Sequence, residues 1–363
     1  MSPESLSFTR RAGLKTLAHV AASSVIALTC MGTSAVRAGE AMPAEAPVQP
    51  ALHLWWSAFH DPTLDLLLAD GLLEAQADRE RLLALQARAA SLYLKVRVYS
   101  VRLHTARRMR ETIERQFALL QQDGQADSDL RVTTGLLREM AERERRFTAL
   151  RSESAAALAE TLHGRHPSRV VALLLEPVLE DWRLPVAEYE VPKAISGLVL
   201  RQRPDVMTAE AGLVLSGRGS ATEQLRLAKY LQALSEAIQP EDAAAPMPAP
   251  DSAGALETVL RRARGEIATR LVEVTARGEA AGAQVENVQR LSGRLDAAWR
   301  EVAAGHVSEV VVLSGLLNLL QEQDQLAVSV GLAGLAWVEL QRSMGGAGQA
   351  RTSELLGTVP VED

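Results

Sequence analysis

Residues 305–345 read GHVSEVVVLSGLLNLLQEQDQLAVSVGLAGLAWVELQRSMG, an apolar-rich run framed by Gly305 and Gly345. Residues 124–164 have the same layout: GQADSDLRVTTGLL, then an Arg/Glu/Leu/Ala-rich run, then LHG. In both stretches the framing glycines are 40 positions apart, and Gly135-Leu136-Leu137 falls almost where Gly315-Leu316-Leu317 falls. Such an offset predicts one helix-turn-helix unit used twice.

The 363 residues are 47% hydrophobic but only 4% aromatic, with abundant Ala, Leu, Arg and Glu, a composition that favours long helices over strands. A formal charge of -6 argues against a general nucleic-acid binder, which needs a basic surface to meet phosphates.

At the N-terminus, TRRAGLK over residues 9–15 precedes a weakly apolar segment, Ala18 to Thr29, and Val36-Arg37-Ala38 offers small residues for cleavage. The apolar segment falls short of the ~20 residues that span a bilayer, so residues 1–38 read as a bacterial export signal. Its paired arginines fit either a twin-arginine signal or an ordinary one. Cys30 is the one cysteine, which excludes an intrachain disulfide and a cysteine metal cluster. A lipid on Cys30 would anchor the mature chain; cleavage after Ala38 would remove it.

Residues 39–53 form a Pro/Ala/Glu linker. Asp61 and Pro62 sit where a helix N-cap and first helical position belong, before an apolar stripe beginning at Leu64, Leu67 and Leu68. The adjacent Trp55 and Trp56 read as a packing anchor. Helical pattern then runs from Leu64 to about Gln122, with Leu85, Ala89, Leu92, Val96, Tyr99 and Leu103 on one face. Within it, six arginines between Arg97 and Arg115 meet only Glu111 and Glu114. This basic run reads as a solvated helix face; its alternative is contact with an acidic partner or lipid headgroups. A break at residues 121–125 leads to a helix that Asp127 or Ser128 would cap and that ends near His163-Gly164. Glu139 with Arg143, and Glu142 with Arg145, suit a coiled hairpin.

Residues 165–199 are an irregular connector with four prolines. Pro204-Asp205 marks a helix start after Arg203, with Asp205 near the positive end of its dipole. Helical pattern continues over 211–239, a Pro/Ala linker occupies 240–254, and a long helix from Ala255 to Ala304 leads into the opening stretch. Residues 347–363 form a flexible tail. His163 and His166 straddle a glycine with no carboxylate or cysteine nearby, which makes them turn residues rather than metal ligands. No nucleophile, acid-base or phosphate-loop motif occurs, so no catalytic, cofactor or metal residue is assigned.

Three pieces resemble the outer-membrane efflux protein family, the TolC-like ducts of Gram-negative bacteria, and especially its lipoprotein branch. Residues 55–64, WWSAFHDPTL, look like that branch's opening motif, with Trp55, Trp56, Asp61 and Pro62 as its structural residues. LRQRPDV at 200–206, with Ala209-Glu210, looks like the mid-chain motif that begins a second repeat, its residues here being Arg203, Pro204, Asp205 and Glu210. The duplicated Gly-to-Gly helix looks like the segment that returns from the tip of each coiled hairpin. These pieces span most of residues 54–346, with repeats at 54–164 and 200–346.

The resemblance implies a homotrimeric duct whose helical hairpins form a periplasmic tunnel and dock by their tips onto a periplasmic adaptor and an inner-membrane pump. It catalyses nothing and needs no cofactor. The matching tip positions are Gly124, Asp127, Ser128 and Asp129 in the first repeat and Gly305, Ser308 and Glu309 in the second; plain helix capping would place the same residue types there. Leu130 and Val311 stand where the family pattern has an Asp. The family also carries a pair of barrel strands in each repeat, yet residues 64–85 and 213–256 show only helical and linker pattern, without the ~9 to 11 alternating residues of a barrel strand. The expected fold is therefore all-α: two tandem repeats of long antiparallel coiled hairpins, exported to the outer membrane or periplasm. The alternative is a barrel-less periplasmic scaffold or interaction protein without transport activity.

Overall fold

The computed structural model describes residues 55–69, 79–122, 127–162, 184, 191–216, 221–244 and 255–346. Cys30, Gly124, His163, His166 and the expected signal, tail and most of the 165–199 connector lie outside these residues. The described residues are helical: α1 (Pro62–Ala69), α2 (Arg79–Gln122), α3 (Asp127–Leu162), α4 (Pro204–Ser216), α5 (Ala221–Ser235), α6 (Ala255–Ala303) and α7 (Glu309–Ser343), with short 3-10 turns at Trp55–Phe59, Gly197–Gln202 and Pro240–Ala244. Among them the sole β-type pairing is one antiparallel bridge, Ile195 with Ile238.

Four helices dominate, with 44, 36, 49 and 35 residues in α2, α3, α6 and α7. The compact units of the chain cut across them. One contains Val101–Thr148 and Gly282–Ala327; the other contains Leu52–Ser100, Ala149–Ala281 and the chain from Val328 onward. Each unit thus takes a segment of every long helix.

In the first unit, burial follows coiled-coil spacing. Thr133, Met140 and Phe147 of α3 are buried seven apart, and Val288, Ser292, Leu295 and Trp299 of α6 at steps of four, three and four. Polar contacts fix the directions. Arg102 meets Asp324 and Arg115 meets Glu309, so α7 numbers fall as α2 numbers rise. Arg110 meets Glu144, and Gln284 and Asn287 both meet Glu322. Consequently α2 lies antiparallel to α3 and to α7, and the contact of Gly315 with Leu295 continues the antiparallel pairing of α6 and α7.

The second unit holds the main apolar core. Trp55, Trp56, Phe59, Leu64 and Leu67 pack with Tyr93, Leu94 and Val96 of α2, Leu158 and Leu162 of α3, Ile267 and Leu271 of α6, and Trp337 and Leu340 of α7. Phe59 and Leu94 each come within 3.3 Å of where a side chain on Gly334 would begin, which is how α7 lies close against α2 here.

Two expectations meet a different structure. The helical pattern expected to continue to 239 stops earlier: α5 ends at Ser235, and the chain then turns extended to pair Ile238 with Ile195. The linker expected at 240–254 opens as an ordered turn, because Asp242 accepts the Gln239 amide at 3.0 Å and is held by Arg264 at 3.0 Å.

Candidate functional site

The turn between α6 and α7 carries the second set of expected tip residues. The α6 helix ends in a Schellman cap: the Gly305 amide donates to the Val302 carbonyl and the His306 amide to the Glu301 carbonyl, each at 3.0 Å, with Gly305 at φ +79. Ser308 stands just before α7, exposed, and its carbonyl accepts the Val311 amide at 3.2 Å. Glu309 opens α7, where the helix dipole favours an acid, and accepts Arg115 of α2 at 3.0 Å. The turn therefore presents Gly305, His306, Ser308 and Val311 outward, and Glu309 is largely committed to Arg115 with its side chain 24% exposed. His306 Nδ1 lies 2.8 Å from Glu301 Oε2. In the first hairpin, α3 begins at Asp127, so Asp127, Ser128 and Asp129 are its first three residues rather than the residue before it.

The two motif clusters are joints in the second unit. Asp61 Oδ1 accepts the Thr63 and Leu64 amides at 3.0 and 3.3 Å, a helix N-cap, while Pro62 takes the first helical position, which needs no amide donor. The other carboxylate oxygen accepts the Tyr93 hydroxyl at 2.6 Å and lies 3.9 Å from the Arg97 guanidinium. His60, just ahead of the cap, has left-handed backbone at φ 47. Trp55 and Trp56 meet edge to face, 5.5 Å between centroids, and both are buried, so the pair anchors packing.

Arg203 does the equivalent work at the second motif. It grips Asp205 bidentately at 3.0 and 2.9 Å, reaches Glu266 of α6 at 2.9 Å, and donates to the Ser343 carbonyl at the end of α7 at 2.8 Å. Burial alone would raise the Asp205 carboxyl, but the hydrogen bonds and charge of Arg203 and the Val206 amide hold it below the usual carboxylate range. Burial likewise works against the Arg203 charge, and its two acidic partners nevertheless raise its basicity. Glu210 meets Arg201 at 3.4 Å, and burial together with Glu210 pushes the Tyr230 phenol up to about 12. These contacts make Arg203, Asp205 and Glu210 structural residues that tie α4 to its neighbours.

The basic run of α2 departs from the expected solvated face. Arg102 forms two bonds to Asp324, at 2.8 and 3.0 Å, and stacks 4.3 Å over the Phe147 ring. Arg110 bonds Glu144 and Glu114, Arg115 bonds Glu309, and Arg97 is buried. Three of the six arginines are thus spent on pairs between helices. Sequence reading missed Asp324 and Glu322 altogether, because their partners lie far away along the chain and leave no local periodic signal.

Among the described residues no group of three or more His, Cys, Asp and Glu side chains could hold a metal ion, and no helix is long and apolar enough to cross a membrane.

No family model matches the sequence, and no curated protein matches it. Solved structures do match. CusC, described for conformational changes accompanying folding and transmembrane channel formation, aligns with a TM-score of 0.56 at 14% identity, over 80% of this chain and 98% of that one. The chain has the helical fold of outer-membrane channels. The outer-membrane channel OprN aligns with a TM-score of 0.55 at 17% identity, over 86% of this chain and 99% of that one. The open state of the Neisseria gonorrhoeae MtrE outer-membrane channel gives 0.51 at 15% identity, over 78% and 71%. What this chain shares with them is the arrangement of long helical hairpins.

Proposed function

We propose that the protein is a shortened TolC-like duct component, a passive conduit or periplasmic tunnel segment of a three-part export system, exported to the outer membrane or periplasm. The observation that carries this reading is the pair of long antiparallel hairpins, α2–α3 and α6–α7, joined through α2 and α7 and matching the channel structures over most of the chain. In this reading the chain is not an enzyme. It assembles as a homotrimer and offers its hairpin turns, Gly124 with Asp127–Asp129 and Gly305 with Ser308, to a periplasmic adaptor and an inner-membrane pump. The test is a gene deletion scored across drugs and metals: a gain in sensitivity restored by the intact gene supports the duct, and an unchanged profile contradicts it.

One observation favours the second reading, a barrel-less periplasmic scaffold: among the described residues the intervals where the family places its strands hold α1, α5 and a 3-10 turn. Fractionation separates the two. A duct with a barrel fractionates with the outer membrane and migrates differently on gels after heating; a scaffold is recovered in the soluble periplasm.

A further inference from the structure

Within the second unit, α4, α5 and α6 converge on a cleft of about 610 Å³. From α5 come Arg226, Lys229, Tyr230 and Ala233, at the steps of three, one and three that define a single helical face, and from α6 come Leu256 and Leu260, four apart. Tyr230, Leu256 and Leu260 are buried and form an apolar floor. The volume lies within the ~300–1,000 Å³ of small-molecule sites.

Gly212 of α4 keeps this cleft open. It stands inside the helix, where glycine is weakening, and packing does not require it, because a side chain there would meet no atom within 4 Å. It shares the cleft-lining face of α4 with Thr208 and Ala209, so a larger residue would project into the cavity.

One end of the cleft is cationic. Lys229 reaches Glu257 at 3.5 Å and Arg264 donates to the Glu236 carbonyl at 3.2 Å, pairs that are both 28 positions apart, so α5 and α6 run parallel and Arg226 stands level with the first turn of α6. Among the described residues Arg226 forms no ion pair, and Lys229 shares Glu257 with Arg261, which holds that carboxylate at 2.7 Å. Arg264 is engaged by Asp242 at 3.0 Å, and Glu236 lies ten positions beyond Arg226, about 15 Å further along. Even with Glu223 of α5 counted, Arg226, Lys229 and Arg261 outnumber Glu223 and Glu257 by one. An apolar trough with excess positive charge at one end complements an anion that carries an apolar chain. A methylene takes up about the ~30 Å³ of a water molecule, so the cleft holds one chain of roughly ten carbons with its headgroup and is too small for the two chains of a phospholipid.

We propose that the α4–α5–α6 cleft binds a single-chain amphipathic anion, its carboxylate or phosphate head at Arg226 and Lys229 and its chain along Tyr230, Leu256 and Leu260. This site is independent of whether the chain conducts solutes. It is tested by titration calorimetry of the full chain with decanoate, decyl phosphate, neutral decanol and inorganic phosphate. Decanoate, decyl phosphate or both should bind more tightly than decanol and inorganic phosphate, the tighter of the two naming the headgroup. R226Q/K229Q should weaken the binding of these anions about tenfold or more, the worth of roughly one charge-assisted hydrogen bond, and leave decanol unchanged. Gly212→Leu should abolish binding of anion and alcohol alike while helicity and melting temperature hold or rise, since the position is exposed and leucine favours the helix. A parent protein that binds neither decyl anion overturns the proposal, as does a Gly212→Leu variant that binds them at the parent level. Decanol binding as tightly as decanoate and decyl phosphate would remove the role of the cations, and inorganic phosphate binding as tightly as decyl phosphate would remove that of the apolar floor; either result also overturns it.

Discussion

Asp61 shows how much one side chain holds in this fold. Its carboxylate caps α1, accepts the Tyr93 hydroxyl and faces Arg97, all with the residue 8% exposed. Asp61→Ala removes the cap and leaves a buried hydroxyl and guanidinium without their acid, a loss of about 2–4 kcal/mol measurable by urea unfolding. Arg203 and Asp205 add a pH signature. Because the Asp205 carboxyl is held below its ordinary value, the stability it contributes is present above the unfolded value of about 4 and is lost as pH falls through the folded one. Thermal melts across acid pH should therefore show Asp205→Asn destabilised near neutrality and converging with the parent in acid. Arg203→Lys should also lower the melting temperature, since an ammonium cannot reproduce the bidentate grip and the bonds to Glu266 and Ser343 together.

At the scale of elements, the two glycines framing the opening stretch end helices, and they differ in surroundings. Both adopt left-handed backbone, at φ +79 and +76, and both close Schellman caps; for Gly345 the bonds run from its amide to the Arg342 carbonyl and from the Gly346 amide to the Gln341 carbonyl. A side chain on Gly305 would meet nothing within 4 Å, whereas on Gly345 it would sit 2.6 Å from the Gln202 carbonyl oxygen. Gly305→Ala should cost about 1 kcal/mol, the left-handed penalty alone, and Gly345→Ala more, about 2–3 kcal/mol with the clash added. Comparison of the two denaturation midpoints checks the ranking. The pairing of α2 with α7 is tested at Arg102 and Asp324: Asp324→Ala leaves Arg102 unpaired and should cost about 2–3 kcal/mol, and the exchange R102D/D324R should recover part of it.

These elements also mark what could be read from sequence. The Asp61-Pro62 cap, the helix start at Pro204-Asp205 and the four long helices were legible because capping and apolar period are local signals. The fate of the basic run was not, because Arg102 and Asp324 are 222 positions apart and Arg115 and Glu309 are 194 apart. A helix face rich in arginine looks solvated until its neighbour's acids are placed against it. The turn at Pro240–Ala244 hid for a similar reason: its order comes from Arg264 on another helix, beneath a composition that reads as linker.

For the whole molecule, the sequence repeat and the compact units divide the chain differently. Repetition follows the chain, whereas compactness groups Val101–Thr148 with Gly282–Ala327, and within that unit each hairpin is closed upon itself, by Arg110 with Glu144 and by Gln284 with Glu322, and packed against its counterpart, by Arg102 with Asp324 and Arg115 with Glu309. Such an arrangement presents the α6–α7 turn as an exposed feature with Gly305, His306 and Ser308 at its surface. In the function proposed above, this turn docks in an export assembly. The most direct measurement is a photo-crosslinking amino acid placed at position 308 in the native host, with adducts identified by mass spectrometry. The expected result is an adduct to a periplasmic adaptor that disappears when Gly305 is replaced by a bulky residue; an exposed, correctly exported protein that yields no adaptor adduct would contradict the proposed docking.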